Sequence, residues 1–277
     1  MKFSIIAAAG FACAAMSPGA AATAAADCPE TLNIALISYL NAHKVGGGGG
    51  VCSVGAPGTG YVAGIGAFTT QYGSALDVIK AYKAGGSYRG VFDQLLPTLE
   101  TYAAQSSGST AGLDSFCAAW EAASANGQAF RAAQVSVIRS KFEEPALQLA
   151  ASLGVRFELT KSLLLDTALV NGLAGTNGGL AEIIAATNNA FTASQAAPSG
   201  SALTIGNLTV DEAQWIQSFL DARTAVAPGR ALDHIAAYRS LLAGSQFAFA
   251  DRISFTDATG RGVTIACPGK CTAHRRR

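Results

Sequence analysis

The stretch from Cys52 to Tyr82, CSVGAPGTGYVAGIGAFTTQYGSALDVIKAY, constrains the fold more than any other part of the chain. Gly55, Gly58, Gly60, Gly64, Gly66 and Gly73 are set there among aromatic and β-branched residues, before the helical pattern LDVIKAY begins. Glycine at that density marks tight turns, or close approach of the backbone to a neighbour or ligand where a Cβ would clash. The stretch reads as a site rather than as a core. One absence sharpens that reading: between Thr31 and Leu76 there is no Asp or Glu.

The chain starts with Lys2, an apolar run from Ile5 to Met16 and small-residue sites near Ala22 to Ala26, so residues 1–26 read as a secretory signal peptide. That run is too short for a spanning helix, and no later segment has membrane length. The expectation is an exported, extracellular chain of roughly 250 residues, with residues 27–277 forming one domain, or two small lobes, that ends in a short basic tail at 272–277. Charged residues make up 13% of the chain, about half the usual share, and the net charge is +1. That balance gives no grip on a polyanion, so nucleic acid is excluded as a partner, and the apolar pattern excludes a membrane.

Cys28, Cys52, Cys117, Cys267 and Cys271 remain once Cys13 leaves with the signal. An oxidising compartment predicts two disulfides and one leftover thiol, with Cys28–Cys52 and Cys267–Cys271 as the expected pairs. No metal site is expected, because the cysteines lack ligand spacing and only His43, His234 and His274 could join them. No cofactor motif is present either: no strand precedes Gly46 to Gly50, and GTGYVAG lacks the dinucleotide spacing. Asn207-Leu208-Thr209 is a glycosylation acceptor pattern, which belongs on a surface.

Helical periodicity dominates the rest. It predicts helices over Glu30 to His43, through LDVIKAY, over Val91 to Ala104 with Pro97 placed to kink it, and over Leu113 to Ala123. Phe130, Ala133, Gln134, Val137 and Ile138 mark the face of another, and Glu144-Pro145 restarts the chain into ALQLAASLGV. Thr160 to Val170 is the strongest core helix. Asn171 to Gly179 and Ala193 to Gly206 read as loop and spacer, followed by a capping box at Thr209 to Glu212 and helices through Trp215 to Arg223 and Leu232 to Leu242. Alternation at Ile253, Phe255, Val263 and Ile265 predicts a closing hairpin around DATGRG.

Six stretches in order resemble the family 46 chitosanases, secreted glycoside hydrolases related in fold to lysozymes: GTGYVAGIGAF, AFRAAQ, KFEEPA, LLLDTALVNG, DEAQWIQSFLDAR and RALDHIAAYR. The resemblance implies a mainly α, α+β fold of two lobes with a small β element beside a cleft, a monomer, and a polysaccharide partner, chitosan or a related glycan. The family cleaves β-1,4 bonds by inversion, with one carboxylic acid protonating the leaving oxygen and a second activating water about 6.5–9.5 Å away. Its acid position falls on Asn41 and its base position on Pro57, while the Arg and Thr of the base motif fall on Thr59 and Val62. The family's substrate-facing Asp falls on Ser74.

Asp166 and Arg223 match a buried ion network behind the family's catalytic Glu, and Arg230 a second Arg of that network. Tyr61 either stacks on a sugar or packs inward, and Asp77 lies one turn into the following helix, as a substrate contact or on a solvated face. Two readings follow. Either the chain is a hydrolase with relocated carboxylates, for which Asp77, Glu158 and Asp166 are candidates, or it is a non-catalytic binder of glycan or protein.

Overall fold

The computed structural model describes residues 28–43, 48–125, 127–174, 178–191, 201–227 and 231–267. The signal-like segment, Cys271, Arg230 and the basic tail lie outside these. The helix Cys28–Ala42 (α1) is the spine. Leu32, Leu36, Tyr39 and Leu40 turn to one hydrophobic core, and Ile34 and Ile37 to another. A helix buried on two sides needs apolar residues around most of its circumference, which is why its polar face is narrow.

The smaller lobe holds an antiparallel sheet of Cys52–Val54 (β1), Tyr61–Ala63 (β2) and Phe68–Thr69 (β3) in the order β1-β2-β3. Around it pack Ser74–Ala84 (α2), Leu96–Gln105 (α3), Phe116–Ala125 (α4) and Gln128–Ile138 (α5). Its core is aromatic: Phe92, Phe116, Trp120 and Phe130 are fully buried, and Trp120 meets Phe130 edge to face at 4.8 Å.

The larger lobe contains Glu144–Leu153 (α6), Glu158–Asn171 (α7), Leu180–Asn189 (α8), the hairpin Ala202–Ile205 (β4) and Leu208–Asp211 (β5), Glu212–Val226 (α9), Leu232–Ala243 (α10), and the hairpin Arg252–Thr256 (β6) and Gly262–Ala266 (β7). A π turn at Arg139–Glu143 joins α5 to α6 without a break. Pro145, second in α6, has no N–H to bond back into the preceding turn, and the wider π turn accommodates it. The two-lobed, mainly helical architecture that the resemblance implied is the one observed.

Local expectations fail in instructive places. Pro97 does not kink a helix; it occupies the first turn of α3, where a missing N–H costs nothing. The spacer before α9 contains β4, whose Leu203 pairs with Val210 in one buried register, leaving Asn207 exposed in the turn. The cap of α9 is Asp211 rather than Thr209, accepting hydrogen bonds from the backbone of Ala213 and Gln214. Glu212 instead caps α7, taking the N–H groups of Arg156 and Phe157 and the hydroxyl of Thr160. Sequence periodicity also passed over α8.

Both expected disulfide pairs are corrected: the bonds are Cys28–Cys267 and Cys52–Cys117. Fifteen residues of α1 span about 22 Å. Cys28 at its start is therefore remote from the sheet that its far end meets, while a disulfide needs Cα atoms within about 7 Å. Cys28 ties α1 to the end of β7, and Cys52 ties β1 to α4. No free cysteine remains among the described residues.

Candidate functional site

Asn41, expected from the resemblance at the acid position, lies where α1 meets the glycine stretch. Asn41 is half-buried in the last turn of α1, and its Nδ2 donates to the carbonyl of Ile65 at 3.0 Å. Pro57 sits exposed in the turn between β1 and β2. Two backbone bonds close that turn: Gly55 N–H to Gly60 O at 2.8 Å and Thr59 N–H to Ala56 O at 2.9 Å. Gly60 has φ +74°, and a Cβ there would lie 2.3 Å from Thr70 Oγ1. Gly108 is more tightly constrained still. Its Cβ would fall 1.8 Å from the carbonyl oxygen of Gly58, so the loop after α3 rests directly on the turn.

Gln134 holds this frame from behind. Fully buried on α5, it accepts from the Ile65 N–H at 3.0 Å and donates to Gly49 O at 2.9 Å, which also receives the Trp120 indole N–H at 2.8 Å. Sequence periodicity placed Gln134 on the inward face and missed its role. The available signal was that an amide on an apolar face must find hydrogen-bond partners.

The proposed sugar contacts divide. Tyr61 packs inward: it is 9% exposed and stacks on Phe116 with ring centroids 5.3 Å apart. Thr59 and Val62 are half-buried in the turn and in β2. The Ser74 hydroxyl accepts the Thr69 N–H at 2.8 Å, fixing the start of α2 against β3. Asp77 pairs with Lys141 of the π turn across the lobe surface.

Asp166 and Arg223 lie together in the interior of the larger lobe. Asp166 of α7 is fully buried, with Oδ2 2.8 Å from Arg223 Nη1 and Oδ1 2.7 Å from His234 Nδ1. Arg223 also donates from Nε to Asn171 Oδ1 at 3.2 Å. His234, considered at first only as a metal ligand, supplies the second contact on Asp166; Arg230 lies outside the described residues. An Asp inside LLLDTALV needs such partners, because burial alone pushes a carboxyl pKa up. Here the charges of His234 and Arg223 and their hydrogen bonds outweigh that burial and hold Asp166 at about 2. Two donors of this cluster, Arg223 Nη2 and Asn171 Nδ2, are buried without a partner among the described residues.

The chemistry available at these positions follows from the side chains. An amide has no proton to release at ordinary pH, and proline has no titratable group. Asp166, held ionised, has no proton to give either. Among the described residues, no cluster of His, Cys, Asp and Glu could hold a metal ion, and no helix is long and apolar enough to cross a membrane.

Known proteins share this fold. A chitosanase of Bacillus subtilis strain 168 is 30% identical over 167 residues, covering 60% of this chain and 55% of that protein's length. The native chitosanase of Bacillus subtilis MY002 superposes with a TM-score of 0.72 at 21% identity, over 87% of this chain and 98% of that one. A family 46 chitosanase of Gynuella sunshinyii, solved with chitotetraose, also gives 0.72, at 25% identity over 85% and 96% of the two chains. The profile of glycosyl hydrolase family 46 matches residues 52–257, from the first strand of the glycine frame to the turn of the last hairpin, and the chain belongs to that family.

Proposed function

We propose that this chain is a secreted, monomeric glycan-binding member of the family that holds chitosan or a related amino-sugar polymer without cleaving it. The observation that carries this reading is Asn41: the residue expected at the acid position is an amide already engaged with the Ile65 carbonyl, and the residue expected at the base position is a proline. The unpaired Nη2 of Arg223 adds support, since in the family the arginine at this place stands behind the catalytic glutamate. Relocated catalysis gains little from its candidates. Asp77 is paired with Lys141, Glu158 with Lys161, and Asp166 is sealed between Arg223 and His234.

Glycan binding asks less of the site than hydrolysis. It needs a shaped frame with polar edges, and Ser74 and Asp77 at the start of α2 remain the proposed contacts. The solved relative from Gynuella sunshinyii is bound to chitotetraose, which makes that oligomer the first probe. The test is retention of the purified chain on chitosan together with a reducing-end assay on the same polymer. Retention with no release of reducing ends is expected. Release at a rate above the buffer blank would overturn the non-hydrolytic reading, and failure to bind any amino-sugar polymer would overturn the glycan reading.

A further inference from the structure

The hairpin of β4 and β5 belongs to the larger lobe, and none of its residues enters the site described above. Its register pairs Leu203 with Val210, Thr204 with Thr209 and Ile205 with Leu208, which leaves Gly206 and Asn207 as a two-residue turn. Gly206 has φ +58°, as the first central residue of so short a hairpin turn requires. Leu203 and Val210 are buried and anchor the hairpin on the core of the lobe. Side chains alternate between the two faces of a strand, so Thr204 and Thr209 stand on the other, exposed face.

The tip of this hairpin is open as well as exposed. A Cβ added to Gly206 would meet nothing within 4 Å. Asn207 is exposed, and among the described residues its amide makes no hydrogen bond. Other asparagines are engaged: Asn41 donates to Ile65 O, Asn171 accepts from Arg223, and Asn188 accepts from the Trp215 indole. Asn207 is also the only asparagine in the sequence with Ser or Thr two residues on, and the residue between is Leu208, not Pro. Leu208 packs against the core, while Asn207 and Thr209 on either side of it are both exposed.

An Asn-X-Thr held at an open surface is an acceptor for an N-linked glycan when the chain passes through an oxidising export pathway. The disulfides Cys28–Cys267 and Cys52–Cys117, with no free cysteine among the described residues, fit such a compartment. We propose that Asn207 is a glycan attachment site, modified by an oligosaccharide delivered on a polyprenyl diphosphate carrier. The Asn207 Nδ2 bonds to C1 of the first sugar as the bond from C1 to the diphosphate oxygen breaks. The polyprenyl diphosphate leaves, the proton lost from Nδ2 passes to a base of the transferring enzyme, and nothing is oxidised or reduced. The empty space around the tip lets a hydrated oligosaccharide extend into solvent without displacing Leu203 or Val210 from the core. This inference rests on the secreted reading of the chain and is independent of chitosan binding.

The test is expression of the full chain in a eukaryotic secretory host and, in parallel, of residues 27–277 behind a signal of proven export. The secreted chain is expected as a heavier species that an endoglycosidase returns to the mass of the polypeptide, with the glycan assigned to position 207 by tandem mass spectrometry. Asn207→Gln and Thr209→Ala should each abolish the heavier species, and Thr209→Ser should keep it. Both positions are exposed, so the thermal midpoints of the deglycosylated variants should match that of the deglycosylated parent. An exported chain without glycan, or a heavier species that survives Asn207→Gln, overturns the proposal. Modification only behind the proven signal upholds Asn207 as the acceptor and places the failure in the secreted reading instead.

Discussion

The glycine frame around Asn41 and Pro57 and the ion network around Asp166 are held in place by different means. The frame holds its glycines and its staple at Gln134, yet carries no carboxylate from Thr31 to Leu76. The network instead buries its charge, with Asp166 held by Arg223 and His234. The difference teaches what holds each in place. A catalytic carboxylate on a cleft surface contributes little to folding and can be replaced freely, whereas a buried Asp held by an Arg and a His cannot be dismantled one residue at a time.

The comparison breaks most visibly at Asp166. Asp166→Asn leaves Arg223 charged and buried, and we expect a loss of about 3–5 kcal/mol in a denaturant titration. A loss under about 1 kcal/mol would mean that the network is not what keeps these residues. The same group sets an acid limit. Its pKa is depressed in the folded chain, from 3.8 to about 2, so its contribution is complete above about pH 4 and is lost as pH falls toward 2. Acid unfolding over that window should flatten in the Asn variant.

A smaller effect, about 1–3 kcal/mol, is expected from Gln134→Ala, which strands the buried Ile65 N–H. The frame should loosen while the network stays intact, read as faster hydrogen exchange confined to residues 49–65. Spread of that exchange to α7 would show that the two halves are coupled. The smallest expected effect is on chemistry. Asn41→Glu with Pro57→Asp should yield slow chitosan cleavage, far below that of an ordinary family member but above the unsubstituted chain. No gain at all would place the loss in the frame rather than in the two missing carboxylates.

Much of the helical fold was legible, because inward residues at helical spacing report burial without reference to their partners. The α1 and α7 patterns, the final hairpin and the carboxylate gap all came from local order in the chain. The strand at Ala202–Ile205 was hidden by the Ser, Pro and Gly around it, and the cap at Asp211 by an equally good pattern starting two residues earlier. Asp166 could be singled out as a buried charge needing partners. That one partner is His234, from a helix 68 residues further on, could not.

Residue chemistry settled one matter by itself: neither an amide nor a proline can act as the acid or base of the family's reaction, whatever surrounds it. The pairing of Cys28 with Cys267 and the grip of Gln134 on two loops were decided only by tertiary structure. These contacts join residues that are far apart in the chain. Which of them meet depends on the length of α1 and the way the two lobes pack about it, and periodicity along the sequence carries no record of either.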